Sequence, residues 1–279
     1  MKKILFLFAI LLIVSCSSEK EKLNIMTYNI RYDNPNDGKN QWLYRNEFLC
    51  DQITYNEVDV FGIQEGLHHQ VKYLDNNFKN FSYVGIGRDD GKEKGEYSAI
   101  FYNSNKFEVI KSDTFWLSET PEKISVGWDA SMERICTYVL LEIKSSNQRF
   151  WVFNTHFDHI GDKARFESSK LIFSKIQQIN LKNLPVFVMG DFNLLPTSEP
   201  IKYLSEVLDD SKMISLTKPF GPNGTFSGFN FNKPVKDRID YIFTNKEKVK
   251  VNKYAVLSDS KECKYPSDHL PVIIEVEIK

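Results

Sequence analysis

Short apolar runs, many alternating with polar residues, recur along most of the chain. They are Leu23–Ile30, Val58–Ile63, Phe81–Ile86, Tyr97–Tyr102, Phe107–Phe115, Ile135–Ile143, Phe150–Asn154, Val186–Met189, Ile239–Phe243, Val249–Leu257 and Val272–Ile278. Their length and their β-branched and aromatic content predict strands. Val186–Met189 is apolar throughout and bounded by Pro185 and Gly190, the pattern of a strand covered on both faces. Helical spacing is clear in fewer places. Leu43, Phe48 and Ile53 predict a helix over Trp42–Tyr55, and Phe166, Leu171, Phe173, Ile176 and Ile179 a second over Ala164–Ile179. Ile201, Leu204 and Leu208 predict a weaker one after Ser198. Many strands with few interspersed helices predict sheets packed as a sandwich with helices outside. No repeat, low-complexity block or linker divides residues 23–279, so they are expected to form one domain.

The amino terminus breaks this pattern. Lys2 and Lys3 precede eleven uninterrupted apolar residues, Ile4–Val14, followed by Ser15 and Cys16. Eleven residues are too few to cross a bilayer, which takes about 20, but suit the core of a secretory signal. A small residue before cysteine resembles a bacterial lipobox. Residues 1–16 are therefore expected to be a lipoprotein signal with Cys16 lipid-modified, and residues 17–22 a tether. Attachment to the cell envelope through that lipid alone follows. Without residues 1–15 the formal charge is 34 − 37 = −3. That balance argues against a nonspecific nucleic-acid binder, which carries a basic surplus. Cys50, Cys136 and Cys263 have no CxxC spacing. They allow one disulfide in an export compartment but are expected to be three buried thiols.

How the strands end carries the chemistry. Leu23–Tyr28 leads into Asn29 and Arg31, Val58–Ile63 into Gln64 and Glu65, and Phe150–Phe153 into Asn154, Thr155 and His156. Val186–Met189 leads into Asp191 and Asn193; Asp240 opens another run and Asp268-His269 precedes the last. One polar strand end is ordinary. Six together predict a shared polar rim above the core, the natural place for an active site. Glu65 and Asp268, with Asn29 nearby, offer oxygen ligands to a hard divalent cation, Mg²⁺ or Mn²⁺. No His or Cys pair has zinc-ligand spacing. Asp191 can take a proton from water, and Asn193 can hold that water or a phosphoryl oxygen. A cation, a base, imidazoles and an amide together suit phosphoryl transfer to water.

The ordered segments TYNIR (27–31), GIQE (62–65), GEYSAIFY (95–102), NTHFD (154–158), GDFN (190–193), RIDYIF (238–243) and SDHLPV (267–272) resemble the endonuclease/exonuclease/phosphatase superfamily, the deoxyribonuclease-I-like fold. The resemblance spans residues 23–279. It implies a four-layer α/β sandwich of two mainly antiparallel sheets, face to face and flanked by helices. It further implies Glu65 as the principal metal ligand, assisted by Asn29 and Asp268. Asp191 would activate water, with Asn193 beside it. His269, oriented by Asp240, would stabilise the transferring phosphoryl, and His156, paired with Glu96, would act near the leaving group. Arg31 falls where some members carry a phosphate-contacting arginine.

Thr114–Tyr138 is similar to the branch containing nocturnin- and deadenylase-like proteins. Trp116 and Trp128 with Arg134 are candidates for an aromatic wall and a phosphate-binding guanidinium, and Arg88 and Arg165 for reading a polar substrate. His68, His69 and His159 are expected at the surface. The resulting expectation is a metal-dependent phosphoesterase, monomeric, acting on a small or sugar phosphate. An extracytoplasmic nuclease acting on nucleic acid is the alternative, and a non-catalytic phospho-ligand-binding lipoprotein the reading from another class.

Overall fold

Along Lys22–Asn29 (β1) successive side chains enter two different cores: Leu23 and Ile25 pack between two sheets, Met26 and Tyr28 under helices. The computed structural model describes residues 21–279, so Cys16 and the apolar run before it lie outside the described residues. One sheet runs Val249–Val256 (β11), Val272–Ile278 (β12), β1, Val60–Gln64 (β2), Ile100–Asn103 (β4) and Phe81–Val84 (β3). The other runs Phe107–Trp116 (β5), Ile135–Ile143 (β6), Arg149–His156 (β7), Val186–Asp191 (β8), Asp240–Thr244 (β10) and the two-residue Asp209–Asp210 (β9). Only the central pairs β1–β2 and β7–β8 are parallel; the other neighbours are antiparallel. Asn46–Tyr55 (α1) and His68–Asn77 (α2) supply Leu49, Ile53, Val71 and Leu74 to the core outside the first sheet. Asp162–Ile179 (α3) and Glu199–Val207 (α4) cover the second with Ile172, Ile176, Ile201 and Leu204, and a single turn, Ser211–Ile214 (α5), follows β9. This is the layered sandwich expected from the pattern, in the four-layer form that the resemblance implies.

In β8, Phe187 and Met189 face the other sheet while Val186 and Val188 face helices, and all four are fully buried. Each contributes roughly 1.5–3 kcal/mol relative to exposure. Because both faces are apolar, alternation alone does not set the register of such strands. Polar bonds between the sheets supply what it lacks. Asn154 of β7 donates through Nδ2 to the Ile63 and Ala99 carbonyls at 2.8 and 2.9 Å and accepts from Gln64 Nε2 at 2.7 Å. Gly62 leaves the room for it, since a Cβ there would stand 2.6 Å from Asn154 Cγ. Slipping the sheets would strand these buried amides at roughly 1–3 kcal/mol each. Two strands above this point carry Glu65 and Asp191, so the staple sets how the walls of the cleft meet.

Three expectations need correction. The helix predicted over Trp42–Tyr55 is a short 3-10 turn, Trp42–Tyr44, then α1. Arg45 interrupts them, because its guanidinium turns inward to the carbonyls of Ile30, Arg31, Asn40 and Pro266. Helix α2 was not foreseen: only Val71 and Leu74 are apolar and buried on it, too few to mark a periodic stripe. Cys50 and Cys136 are buried, but Cys263 is exposed, and all three are free thiols.

Candidate active site

At three strand ends the chain enters the left-handed region immediately or within two residues: Arg31 (φ 55°) after β1, Glu65 (φ 63°) after β2 and Asn193 (φ 52°) after β8. Asparagine tolerates this; for arginine and glutamate it is strain of order 1–3 kcal/mol, held only where the surroundings over-determine it. The turns point Glu65 and Asn193 back over the sheet. Gly190 makes the last possible, since a Cβ there would stand 2.0 Å from the Thr155 carbonyl of neighbouring β7.

Asp191 lies at the centre. Its Oδ2 accepts from Asn29 Nδ2 at 2.9 Å and lies 3.6 and 3.7 Å from the Nε2 atoms of His156 and His269. Asn29 Nδ2 also donates to Glu65 Oε1 at 3.0 Å, while Asn29 Oδ1 accepts the Arg31 amide. The amide thus shows nitrogen to the carboxylates: Asn29 spaces Glu65 from Asp191 and offers no oxygen to a cation here. Glu65 Oε2 takes the Tyr32 amide at 3.1 Å. Ser267 donates to the Asn29 carbonyl at 2.7 Å, fastening the loop that carries Asp268 and His269 to β1. Arg31 is clamped bidentately by Asp37, from the 35–40 turn, and lies 3.8 Å from both Glu65 and Asp268.

The two histidines differ in charge for physical reasons. His269 is buried, which opposes its charge, but Asp240, Asp191 and Asp268 outweigh that and raise its pKa well above the ordinary value. Its Nδ1 donates to Asp240 Oδ2 at 2.9 Å. His156 has no such partner: burial, then Arg134 and Arg88, push its pKa well down, so it is neutral. Its Nε2 accepts from Asn193 Nδ2 at 3.1 Å, which puts the imidazole proton on Nδ1. That atom is buried without a bond, 3.8 Å from Glu96 Oε2. Glu96 does not pair closely with His156; it is held bidentately by Arg88 at 2.8 and 3.0 Å. Asn193 spends its second amide hydrogen on the Phe157 carbonyl at 3.0 Å, leaving only Oδ1 for a water. Burial and Asp240 raise the pKa of Asp191, and burial that of Asp268, so both gain from a nearby cation. Ligand atoms of Glu65, Asp191 and His269 lie within 4.8 Å of one another. A protonated imidazole has no lone pair to give, so the carboxylates fit a divalent cation and His269 stands beside it.

These residues open on a cleft of about 530 Å³, with Asn29 and Asp240 behind its wall. Arg134 borders it, beside Arg88, Glu96, Met132 and His159. Three proposed substrate contacts fall elsewhere. Arg165 turns away to Asp162 and to the Asp158 and Ile160 carbonyls at the start of α3. Trp128 is outside the cleft lining, and Trp116 is buried with Nε1 donating to the Arg88 carbonyl at 2.9 Å. Tyr32 and Phe226 provide the cleft's aromatic faces instead, Phe226 lying edge-on to His269 at 5.1 Å. His159, expected to be a plain surface residue, accepts from Arg134 Nη2 at 3.0 Å. A polar strand end signals Tyr32; nothing local signals the other two.

The fold and this site define a sandwich hydrolase of phosphoric esters. The chain matches the model of the Endonuclease/Exonuclease/phosphatase family over residues 26–269 and belongs to that family, which includes phosphatases, nucleases and exoribonucleases and depends on divalent metal. A family member from Bacteroides thetaiotaomicron is 38% identical, covering 94% of this chain and 99% of its own, with a TM-score of 0.90. A mannosyl-6-phosphatase from the same organism is 39% identical over 91% of this chain and 99% of its own, with a TM-score of 0.87. The CCR4-Not complex 3'-5'-exoribonuclease subunit of Mycosarcoma maydis is 20% identical over 93% of this chain, which spans 51% of that protein.

Proposed function

We propose that the chain hydrolyses phosphate esters of small molecules, sugar phosphates foremost, by in-line attack of a water, with Mg²⁺ or Mn²⁺ bound. Glu65, with Asp191 and Asp268, would hold the cation, which when bound polarises a phosphoryl oxygen. Asp191 takes the water's proton, its Oδ2 lying between Asn29 and the two imidazoles. Asn193 orients that water through Oδ1. His269, protonated against Asp240, donates to the transferring phosphoryl. Neutral His156 holds Asn193 in place and faces the leaving-group side. Arg31 flanks the carboxylates and steadies the phosphate.

The observation that carries the small-substrate reading is the cleft: about 530 Å³, with Arg88, Arg134 and His159 facing the reactive carboxylates. That room suits a phosphorylated sugar better than a duplex. The similarity to a mannosyl-6-phosphatase supports it. Kinetics decide between this and the nuclease reading, which the likeness to an exoribonuclease subunit keeps open. Mannose 6-phosphate, other sugar phosphates, bis-p-nitrophenyl phosphate and a single-stranded oligonucleotide are compared with and without EDTA. EDTA-sensitive phosphate release, fastest from a sugar phosphate, is expected. Oligonucleotide cleavage with a tenfold higher kcat/KM would reverse the assignment.

We also propose that the enzyme acts at the cell envelope, held by lipid on Cys16, on the strength of the apolar run and Ser15-Cys16. Replacing Cys16→Ser should move the protein from the membrane to the soluble fraction of a bacterial host. Unchanged membrane association would exclude the anchor.

A further inference from the structure

The wall facing the carboxylates contains an arginine that the protein leaves short of acceptors. Arg134 is only 4% exposed and borders the cleft. Its Nη2 meets His159 Nδ1 at 3.0 Å, its Nε reaches Asp158 Oδ1 only at 3.4 Å, and Nη1 is buried with no partner. Asp158 has little left to give. Oδ1 already accepts from the Ser131 amide and hydroxyl, and Oδ2 from the Ile160 and Gly161 amides, four donors for a carboxylate with about four acceptor positions. Arg88 next door also has a buried nitrogen, Nε, without a partner, but its charge is matched because Glu96 grips it bidentately, whereas Asp158, the carboxylate at Arg134, is taken up by other donors. A buried guanidinium short of hydrogen bonds is costly unless an acceptor arrives. Asp158 thus acts as a clamp, joining the Ser131–Arg134 segment to the turn before α3 and presenting Arg134 at the wall.

Arg134 lines the same cleft as the reactive groups, on the wall that carries Arg88, Glu96 and His159. From Asp191 the contacts run to His156 at 3.6 Å, from His156 to Glu96 at 3.8 Å, and from Glu96 to Arg88 at 2.8 Å. Two side chains, His156 and Glu96, thus separate Arg88 from Asp191, and Arg134 borders the cleft on that same side with Arg88 and His159. We infer that Arg134, positioned by Asp158 and flanked by Arg88 and His159, is a subsite for a second oxyanion, a carboxylate or phosphate on the alcohol part of the substrate. This rests on the phosphoesterase reading above.

Paired substrates test it: glucose 6-phosphate against 6-phosphogluconate, glycerol 3-phosphate against 3-phosphoglycerate, and fructose 6-phosphate against fructose 1,6-bisphosphate. The first two pairs probe a carboxylate, the third a phosphate. In the unaltered protein the doubly anionic member should have a kcat/KM higher by about tenfold or more, carried in KM, as a charge-assisted bond predicts. Arg134→Gln and Asp158→Asn should erase the preference, while Arg134→Lys retains part of it. Calorimetry of gluconate and glucose binding gives a readout independent of turnover, with Arg134-dependent binding of gluconate alone expected. Turnover with no preference for the second anion, or an equal kcat loss on both members in Arg134→Gln, overturns the subsite and leaves the hydrolase intact. Arg134-dependent gluconate binding with no turnover of any ester sinks the hydrolase and keeps the subsite. A folding loss in Arg134→Gln would show as a shifted unfolding midpoint, and the preference of the unaltered protein then decides.

Discussion

Asp191→Asn is expected to lower kcat by about 10²–10⁴-fold in a protein that still folds, the range a positioned general base supplies. The substitution preserves shape but leaves one acceptor, so of Asn29 Nδ2, which bonds Oδ2, and the Asn193 amide, which bonds Oδ1, only one keeps its bond at position 191. What disappears is a carboxylate that burial and Asp240 have moved toward neutral pH, where it can both take a proton and release it. The loss should fall in kcat, because the base acts in the transition state and not in ground-state binding. Single-turnover kinetics, with circular dichroism as a check on folding, would measure it. A loss under tenfold would remove Asp191 from proton transfer and leave the site without a base, since His269 is already protonated and His156 faces Asn193.

The second large effect concerns the cation. Glu65→Gln should raise the Mg²⁺ or Mn²⁺ concentration for half-maximal activity by about 100-fold or more. Even residues that only orient metal ligands cost 10–100-fold, and Glu65 contributes an oxygen to the cluster directly. It follows directly on β2, whose last residue, Gln64, is committed to Thr27 and Asn154, so no neighbour on that strand can replace it. The tight turn at position 65 is set by the backbone and by Gln70 and Tyr32 around it, so the variant should still fold. Titrating Mn²⁺ into each protein by calorimetry separates metal affinity from catalysis. An unchanged metal requirement would mean that the cation, if used, sits elsewhere.

Much of this arrangement was legible before any coordinates. Runs buried on both faces identify the strands, and the acids, amides and imidazoles that finish them identify the rim. Glu65, Asp191, Asn193 and Asp240 each sit within two residues of a strand boundary, and Asp268 and His269 within four, where local pattern is informative. The surroundings of long charged side chains were not legible. Arg165 and Arg134 look alike as isolated letters, yet one turns to Asp162 and two carbonyls at the start of a helix and the other borders the cleft. Glu96, taken for a partner of His156, is held by Arg88. Trp128 stays out of the cleft while Phe226 enters it, because a backbone bridge to His269 sets its place.

What the sequence by itself determined is the set of strands, the two-sided burial of their centres and which strand ends carry chemistry, since each depends on neighbours within a few positions. Only the tertiary structure decided which groups meet across the sheets. Asn154 pins one sheet to the other, Asn29 parts two carboxylates, and Asp158 exhausts its oxygens on backbone and serine. Those outcomes are competitions among donors far apart in the chain, and the winner is set by distance in the folded state.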